Sequence, residues 1–172
     1  MISILLQNGH LIDPETDIDG VFDVLILDGV IAEVGRSLTV KKSIETLDLR
    51  RKIVAPGFLD MHVHLREPGY EHKETIETGC AAAAAGGFTG VCCMPNTNPP
   101  IDSEGIVRFV KRKGAMALDG VVDVFPIAAV TKGREGKELA PMGELFEGGA
   151  VAFSDDGSPV VDAEVMRRAL EY

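Results

Sequence analysis

Long hydrophobic runs are missing from this sequence. Its apolar stretches are short and broken by Gly, Pro or charge, and none approaches the roughly 20 apolar residues that a membrane-crossing helix needs. The opening residues 1–9 carry no basic flank and no small-residue cleavage site, so they do not read as a signal peptide. Both absences lead us to expect a cytoplasmic protein. Cysteine is scarce. Cys80, Cys92 and Cys93 are an odd number set among Ala and Val, with no C-x-x-C spacing to suggest zinc or redox work, and they read as buried thiols. Positive charge is in deficit, with 17 Lys and Arg against 27 Asp and Glu for a net charge of -10. Nucleic acid and anionic membrane are bound through a basic footprint that releases counterions, so neither is expected as a partner. An anionic substrate would need a locally placed cation. A phosphate loop of the G-x-x-x-x-G-K-[ST] type is also lacking. Gly86-Gly87, Gly148-Gly149 and the segment 132–137 read instead as helix ends or a solvated turn.

What is present suits a globular protein: 172 residues, 45% hydrophobic and 26% charged. Residues 1–52 alternate apolar and polar in short runs separated by Asn8-Gly9, Asp13-Pro14 and Asp28-Gly29, which predicts a small antiparallel β module with Asx-Gly turns. From Ile53 onward, strand-like runs (53–59, 88–94, 121–129, 150–153) alternate with helical patterns (73–85, 103–116, 138–147). Gly86-Gly87 should close the first helix, and Asp102-Ser103 should open the second with capping side chains. Regular βα alternation predicts a parallel sheet with crossover helices. A doubly wound sheet would give this pattern, and so would a four-strand prefix of a (β/α)₈ barrel, which needs about 250 residues. A fourth helical pattern starts near Asp162 and stops at Tyr172 with no capping Gly or Pro. We therefore expect the chain to end inside an element.

His62 and His64 stand two apart near the end of the run 53–59. On a strand, both imidazoles leave one face about 6 to 7 Å apart, and two ligands so placed can converge on one zinc at about 2.0 to 2.1 Å each. The alternative is a pair of hydrogen-bonded histidines at a strand end. The C-terminal end of a strand in βα architecture, where barrel active sites lie, and the charged residues that follow favour the metal. His10 and His72 have no partner at metal spacing, and Lys111 to Lys113 read as an exposed helix end whose positive charge complements the macrodipole.

The segment Pro56-Gly57-Phe58-Leu59-Asp60-Met61-His62-Val63-His64-Leu65-Arg66-Glu67-Pro68-Gly69 resembles the signature of the dihydroorotases, within the amidohydrolase superfamily. Met94-Pro95-Asn96-Thr97-Asn98-Pro99-Pro100 resembles their second signature, and Phe153-Ser154-Asp155-Asp156-Gly157 matches a third segment of the bacterial type I branch. The three stand in family order, and the resemblance extends over the whole chain. It implies the first half of a (β/α)₈ TIM-type barrel over residues 53–172, strands one to four, preceded over residues 1–52 by part of a composite β-sandwich domain. The activity it implies is zinc-dependent, reversible hydrolysis of the ring amide of dihydroorotate to N-carbamoyl-L-aspartate, in de novo pyrimidine (UMP) biosynthesis, with one or two zinc ions.

Residue by residue, the resemblance makes His62, His64 and Asp156 metal ligands, with Asp156 able to bridge two ions where many amidohydrolases use a carboxylated lysine. Arg66, two residues after His64, would hold the substrate carboxylate through a planar fork. Asn96 would share that carboxylate, and His64 would also touch substrate. Asp155 is assigned an Asx turn before Gly157. The general base, an aspartate of strand eight, and the histidine ligands of strands five and six are expected beyond Tyr172. A homodimer or association with aspartate transcarbamoylase is compatible with the resemblance. Two rivals share parts of the pattern. A dihydropyrimidinase or allantoinase has the H-x-H and the barrel but fits the Leu-Arg-Glu-Pro-Gly and Pro-Asn-Thr-Asn-Pro combination less well. A non-catalytic dihydroorotase-like subunit scaffolding aspartate transcarbamoylase would be expected to have lost metal ligands.

Overall fold

The computed structural model describes residues 2–172 and divides into two compact units, residues 1–56 and 57–172. The first holds β1 (Ile4–Asp13), β2 (Ile18–Leu27), β3 (Val30–Gly35), β4 (Glu45–Asp48) and β5 (Ile53–Val54). Two hairpins join β1, β2 and β3. In the second, Asp28 and Gly29 both have positive φ, 54° and 83°, the geometry of a tight two-residue turn whose twist matches that of the strands. Leu5, Leu11 and Val24 form the buried side of the sheet.

The sheet is mixed, not antiparallel throughout as the turn signals suggested. β1 pairs in parallel with β4 and with β5. Tight turns dictate direction only between consecutive strands, and the longer connection after β3 lets the chain return alongside β1 in the same sense. The run 53–59 likewise becomes two strands. Ile53–Val54 pairs with His10 and Leu11 of β1, whereas Phe58–Val63 opens a separate sheet. Pro56, which has no N–H to give to a ladder, stands between them. The units therefore meet at Pro56 and Gly57, not after residue 52.

The second unit runs β6 (Phe58–Val63), α1 (Ile76–Ala85), β7 (Phe88–Cys93), α2 (Glu104–Met116), β8 (Asp123–Ala128), α3 (Met142–Gly148), β9 (Ala152–Phe153) and α4 (Ala163–Glu171). Its four strands are parallel and lie in sequence order, β6-β7-β8-β9. A doubly wound sheet reverses strand order at a switch point. Here there is no reversal, so the partial α/β fold winds as the opening of a barrel does. Ile76 and Cys80 of α1, Val107 and Val110 of α2, Leu145 of α3, and Val91, Val124 and Ala128 of the strands share one core. Burial raises the pKa of all three thiols, that of Cys93 to about 12, so they are protonated and inert, as their surroundings suggested.

Helix ends follow local chemistry. Thr75 and Thr78 form a reciprocal capping box that starts α1 at Ile76, later than its periodic pattern. Gly87, at φ 83°, follows the Gly86 cap in a conformation that a side chain would disfavour. At α2, Ser103 occupies the cap position but its hydroxyl caps nothing, and the Asp102 carboxylate accepts from Gly133 N at 2.8 Å. α3 begins after Pro141, not at residue 138. A residue preceding proline is driven out of the helical region, and Leu139 instead bridges to Thr131. α4 is capped by Asp162, whose carboxylate accepts from Glu164 N and Val165 N. Lys113, expected to be merely exposed, pairs at 2.9 Å with the buried Glu67.

Candidate metal centre

The parallel sheet delivers polar side chains to one rim, the C-terminal ends of its strands. His62 stands near the end of β6, where the ladder is irregular between Asp60 and Val63, and His64 lies just beyond the strand. Asn96 follows β7, and Asp155 and Asp156 follow β9. His62, His64 and Asp156 each bring one ligand-type atom to within 4.8 Å of the others. His62 Nε2 lies 3.2 Å from Asp156 Oδ1, and His64 Nδ1 lies 3.9 Å from Asp156 Oδ2. The two imidazole rings meet edge to face with centroids 5.3 Å apart.

The donor set fits a borderline divalent cation: two imidazoles and a carboxylate are nitrogen and oxygen ligands of the kind found at catalytic zinc. Ligand atoms at about 2.1 Å from a tetrahedral ion are about 3.4 Å from each other. The 3.2 Å separation of His62 Nε2 and Asp156 Oδ1 is close to that value. The His62 side chain is 57% exposed, His64 31% and Asp156 17%, which leaves the cluster open to a small molecule on the histidine side.

Asn96 lies at the centre of the polar network. Its Nδ2 donates to Asp156 Oδ2 at 2.7 Å, and its Oδ1 faces His64 Nδ1 at 3.0 Å. The loop that carries it is pinned by Thr97 N to Pro95 O (2.9 Å), Thr97 Oγ1 to Pro99 O (2.8 Å) and Asn98 N to Pro68 O (2.9 Å). This last bond joins it to the loop of Arg66. Gly69 makes the junction possible, because a Cβ there would stand 2.0 Å from Asn98 O. Arg66 itself is half-buried, at φ 62°, and makes no ion pair among the described residues. Its neighbour Glu67 anchors the loop by accepting from Ile76 N at 3.0 Å while paired with Lys113.

The adjacent aspartates have different partners. Asp155 does not form the expected side-chain turn before Gly157. Its carboxylate is buried and reaches back to the loop after β8, accepting from Val130 N (2.9 Å), Thr131 N (3.1 Å) and the Thr131 hydroxyl. The turn is closed by backbone, Ser158 N to Asp155 O at 2.8 Å. A buried carboxylate is stabilised by such donors, and the loop gains a fixed anchor. Arg134 adds a second brace, its Nη2 donating to the carbonyls of Asp155 and Asp156 and to Ser158 Oγ. Asp60 accepts from His62 N at 3.0 Å. These braces are invisible in the sequence. Arg134 sits in the Gly-rich segment that read as a solvated turn, and no local pattern links it to a carbonyl about twenty residues on.

The sequence profile of the Dihydro-orotase-like family matches residues 51–172. A curated dihydroorotase of Pelobacter propionicus is 52% identical over 171 residues, covering 99% of this chain and 40% of that protein. One from Solibacter usitatus is 54% identical over 169 residues, covering 98% of this chain and 39% of the relative. The chain thus spans about 40% of the length of the curated relatives it matches. Among solved structures, L-hydantoinase (dihydropyrimidinase) from Arthrobacter aurescens aligns with a TM-score of 0.78 over 96% of this chain and 37% of its own, at 23% identity. D-Hydantoinase (dihydropyrimidinase) from Thermus sp. aligns with a TM-score of 0.70 over 97% of this chain and 37% of its own, at 28% identity. The first of these is a likeness of fold alone. The family profile covers most of the chain and the curated dihydroorotases match nearly all of it, so the chain belongs to the dihydroorotase-like family.

Proposed function

We propose that these residues serve a zinc-dependent dihydroorotase, which hydrolyses the ring amide of dihydroorotate reversibly to N-carbamoyl-L-aspartate in pyrimidine biosynthesis. The observation that carries this reading is the convergence of His62, His64 and Asp156 on one strand-end rim in a chain 52% identical to a curated dihydroorotase. In the proposed enzyme His62, His64 and Asp156 hold one or two zinc ions, and the remaining ligands and the general base come from residues outside these 172. When bound, zinc polarises a carbonyl and acidifies water.

The chain's own residues bind and orient the substrate. Arg66 presents a planar fork to the carboxylate of dihydroorotate, the local cation that an acidic protein needs for an anionic substrate. Asn96 spends its oxygen and one N–H within the network, and its second N–H is free for the same carboxylate. The intact His62, His64 and Asp156 cluster counts against a purely scaffolding, non-catalytic homologue.

The test is an assay of the whole enzyme against dihydroorotate, hydantoin and allantoin, with metal content measured in parallel. Turnover of dihydroorotate in preference to the other two, with zinc present, is the expected result. Preference for an uncharged ring would move the protein to the hydantoinase side of the superfamily. The 172-residue chain alone should show no turnover, since it offers three ligands and no general base. Measurable activity from it would overturn the division of labour proposed here.

A further inference from the structure

We infer that Asn96 is a positioning residue that fixes His64 in its Nδ1–H tautomer and holds the Asp156 carboxylate beside it. A carboxylate only accepts hydrogen bonds, so the group 2.7 Å from Asp156 Oδ2 must be the amide NH₂ of Asn96. The reverse orientation would set two acceptor oxygens against each other at that distance. With the NH₂ committed, the amide oxygen faces His64 Nδ1 at 3.0 Å, and an oxygen there only accepts. The neutral ring must therefore carry its proton on Nδ1, which leaves the lone pair on Nε2 as the nitrogen available to a metal.

Asp156 cannot do this job directly, because its Oδ2 stands 3.9 Å from His64 Nδ1, beyond hydrogen-bond range. The amide fills that gap. Its own position is over-determined by the pinned loop, with Pro95 and Thr97 buried on either side of it. A side chain held this way imposes its orientation on its partners rather than adapting to them. Where it concerns metal affinity, the inference rests on the zinc reading above; where it concerns the tautomer, it stands on these contacts alone.

The experiment uses the whole enzyme, stripped of metal and ¹⁵N-labelled at histidine, at alkaline pH. Long-range proton–nitrogen correlation spectra read the tautomer of His64, and zinc titration by calorimetry reads affinity. Wild type should show His64 protonated on Nδ1. Asn96→Ala removes the acceptor, so His64 should shift toward the Nε2–H form that predominates in free imidazole side chains, and zinc affinity should fall about 10- to 100-fold, the usual loss when a partner of a metal-ligating histidine is removed. Asn96→Asp keeps an acceptor for Nδ1–H but sets a second carboxylate against Asp156 Oδ2, so it should hold the Nδ1–H tautomer while releasing Asp156 and lowering zinc affinity. Wild-type His64 with its proton on Nε2, or an unchanged tautomer in Asn96→Ala, would overturn the inference. If Asn96→Ala fails to fold, the wild-type and Asn96→Asp spectra still decide it. The two readings fail separately. A wild-type enzyme that binds no zinc but shows the Nδ1–H tautomer keeps this inference and weakens the metal reading. Zinc binding that Asn96→Ala leaves unaltered keeps the metal reading and removes this one.

Discussion

The mixed sheet of residues 1–56 and the parallel sheet of residues 57–172 each bury one aspartate to tie distant backbone together, but only the second follows it with another that does not. In the first unit Asp23 accepts from Asn8 N and Leu38 N, both at 2.8 Å. In the second, Asp155 accepts from Val130 N, Thr131 N and the Thr131 hydroxyl. Both carboxylates accept from the chain on each of their two oxygens, as a structural brace requires. Asp156 faces two imidazoles and one amide. The difference teaches how to tell a brace from a ligand: a brace is met on both oxygens by donors of the chain, backbone N–H groups foremost, whereas a ligand is aimed at atoms that can share a cation.

The largest expected effect comes from erasing that difference. Asp156→Asn in the whole enzyme should remove most bound metal and nearly all activity, because a neutral amide is a poor ligand for a divalent cation. Metal content and turnover check it, and retention of full metal content would return Asp156 to the class of braces. Next is Arg66, which belongs to neither class because it is proposed to serve substrate. Arg66→Lys should keep zinc while kcat/KM falls roughly ten- to hundredfold, since loss of one charge-assisted bond costs about 1.5 to 3 kcal/mol. Arg66→Met should be worse, leaving the substrate carboxylate desolvated without a cation. Steady-state kinetics with dihydroorotate checks both, and a result for Arg66→Met within about twofold of wild type would strip the arginine of its role.

Much of this was legible before the structure. The βα alternation, the Asp28-Gly29 turn, the Gly87 cap and the placement of His62, His64 and Asp156 at strand ends all follow from signals contained within a few residues. What escaped depends on partners far along the chain. Nothing near Ile53 says that it pairs with His10, and nothing near Asp155 says that its carboxylate goes to Val130 rather than to its own turn. Asn96 is an intermediate case. Its loop and its proximity to the site could be read from the motif, but that its oxygen faces His64 while its nitrogen faces Asp156 is a property of three loops meeting. Local chemistry fixes turns and caps, whereas the wiring of a rim is set by tertiary geometry.

The smallest expected effects separate the two braces from each other. In Asp23 each oxygen serves a different backbone N–H, so in Asp23→Asn one of the two N–H groups must face an amide NH₂. That part-buried donor is left unpaired, at a cost of up to about 3 kcal/mol. Asp155 is more forgiving. Its Oδ1 takes both backbone N–H groups and its Oδ2 only the Thr131 hydroxyl. An asparagine can keep the first oxygen and donate from its NH₂ to Thr131 Oγ1, which has a second lone pair beside the one taken by Gly136 N. Asp155→Asn should therefore cost only about 1 kcal/mol, the loss of charge assistance. Amide hydrogen exchange resolves the two locally: protection at Asn8 and Leu38 should fall further in Asp23→Asn than protection at Val130 and Thr131 falls in Asp155→Asn. The reverse order would mean that the carboxylate charge, rather than the count of filled acceptors, is what holds the loop after β8.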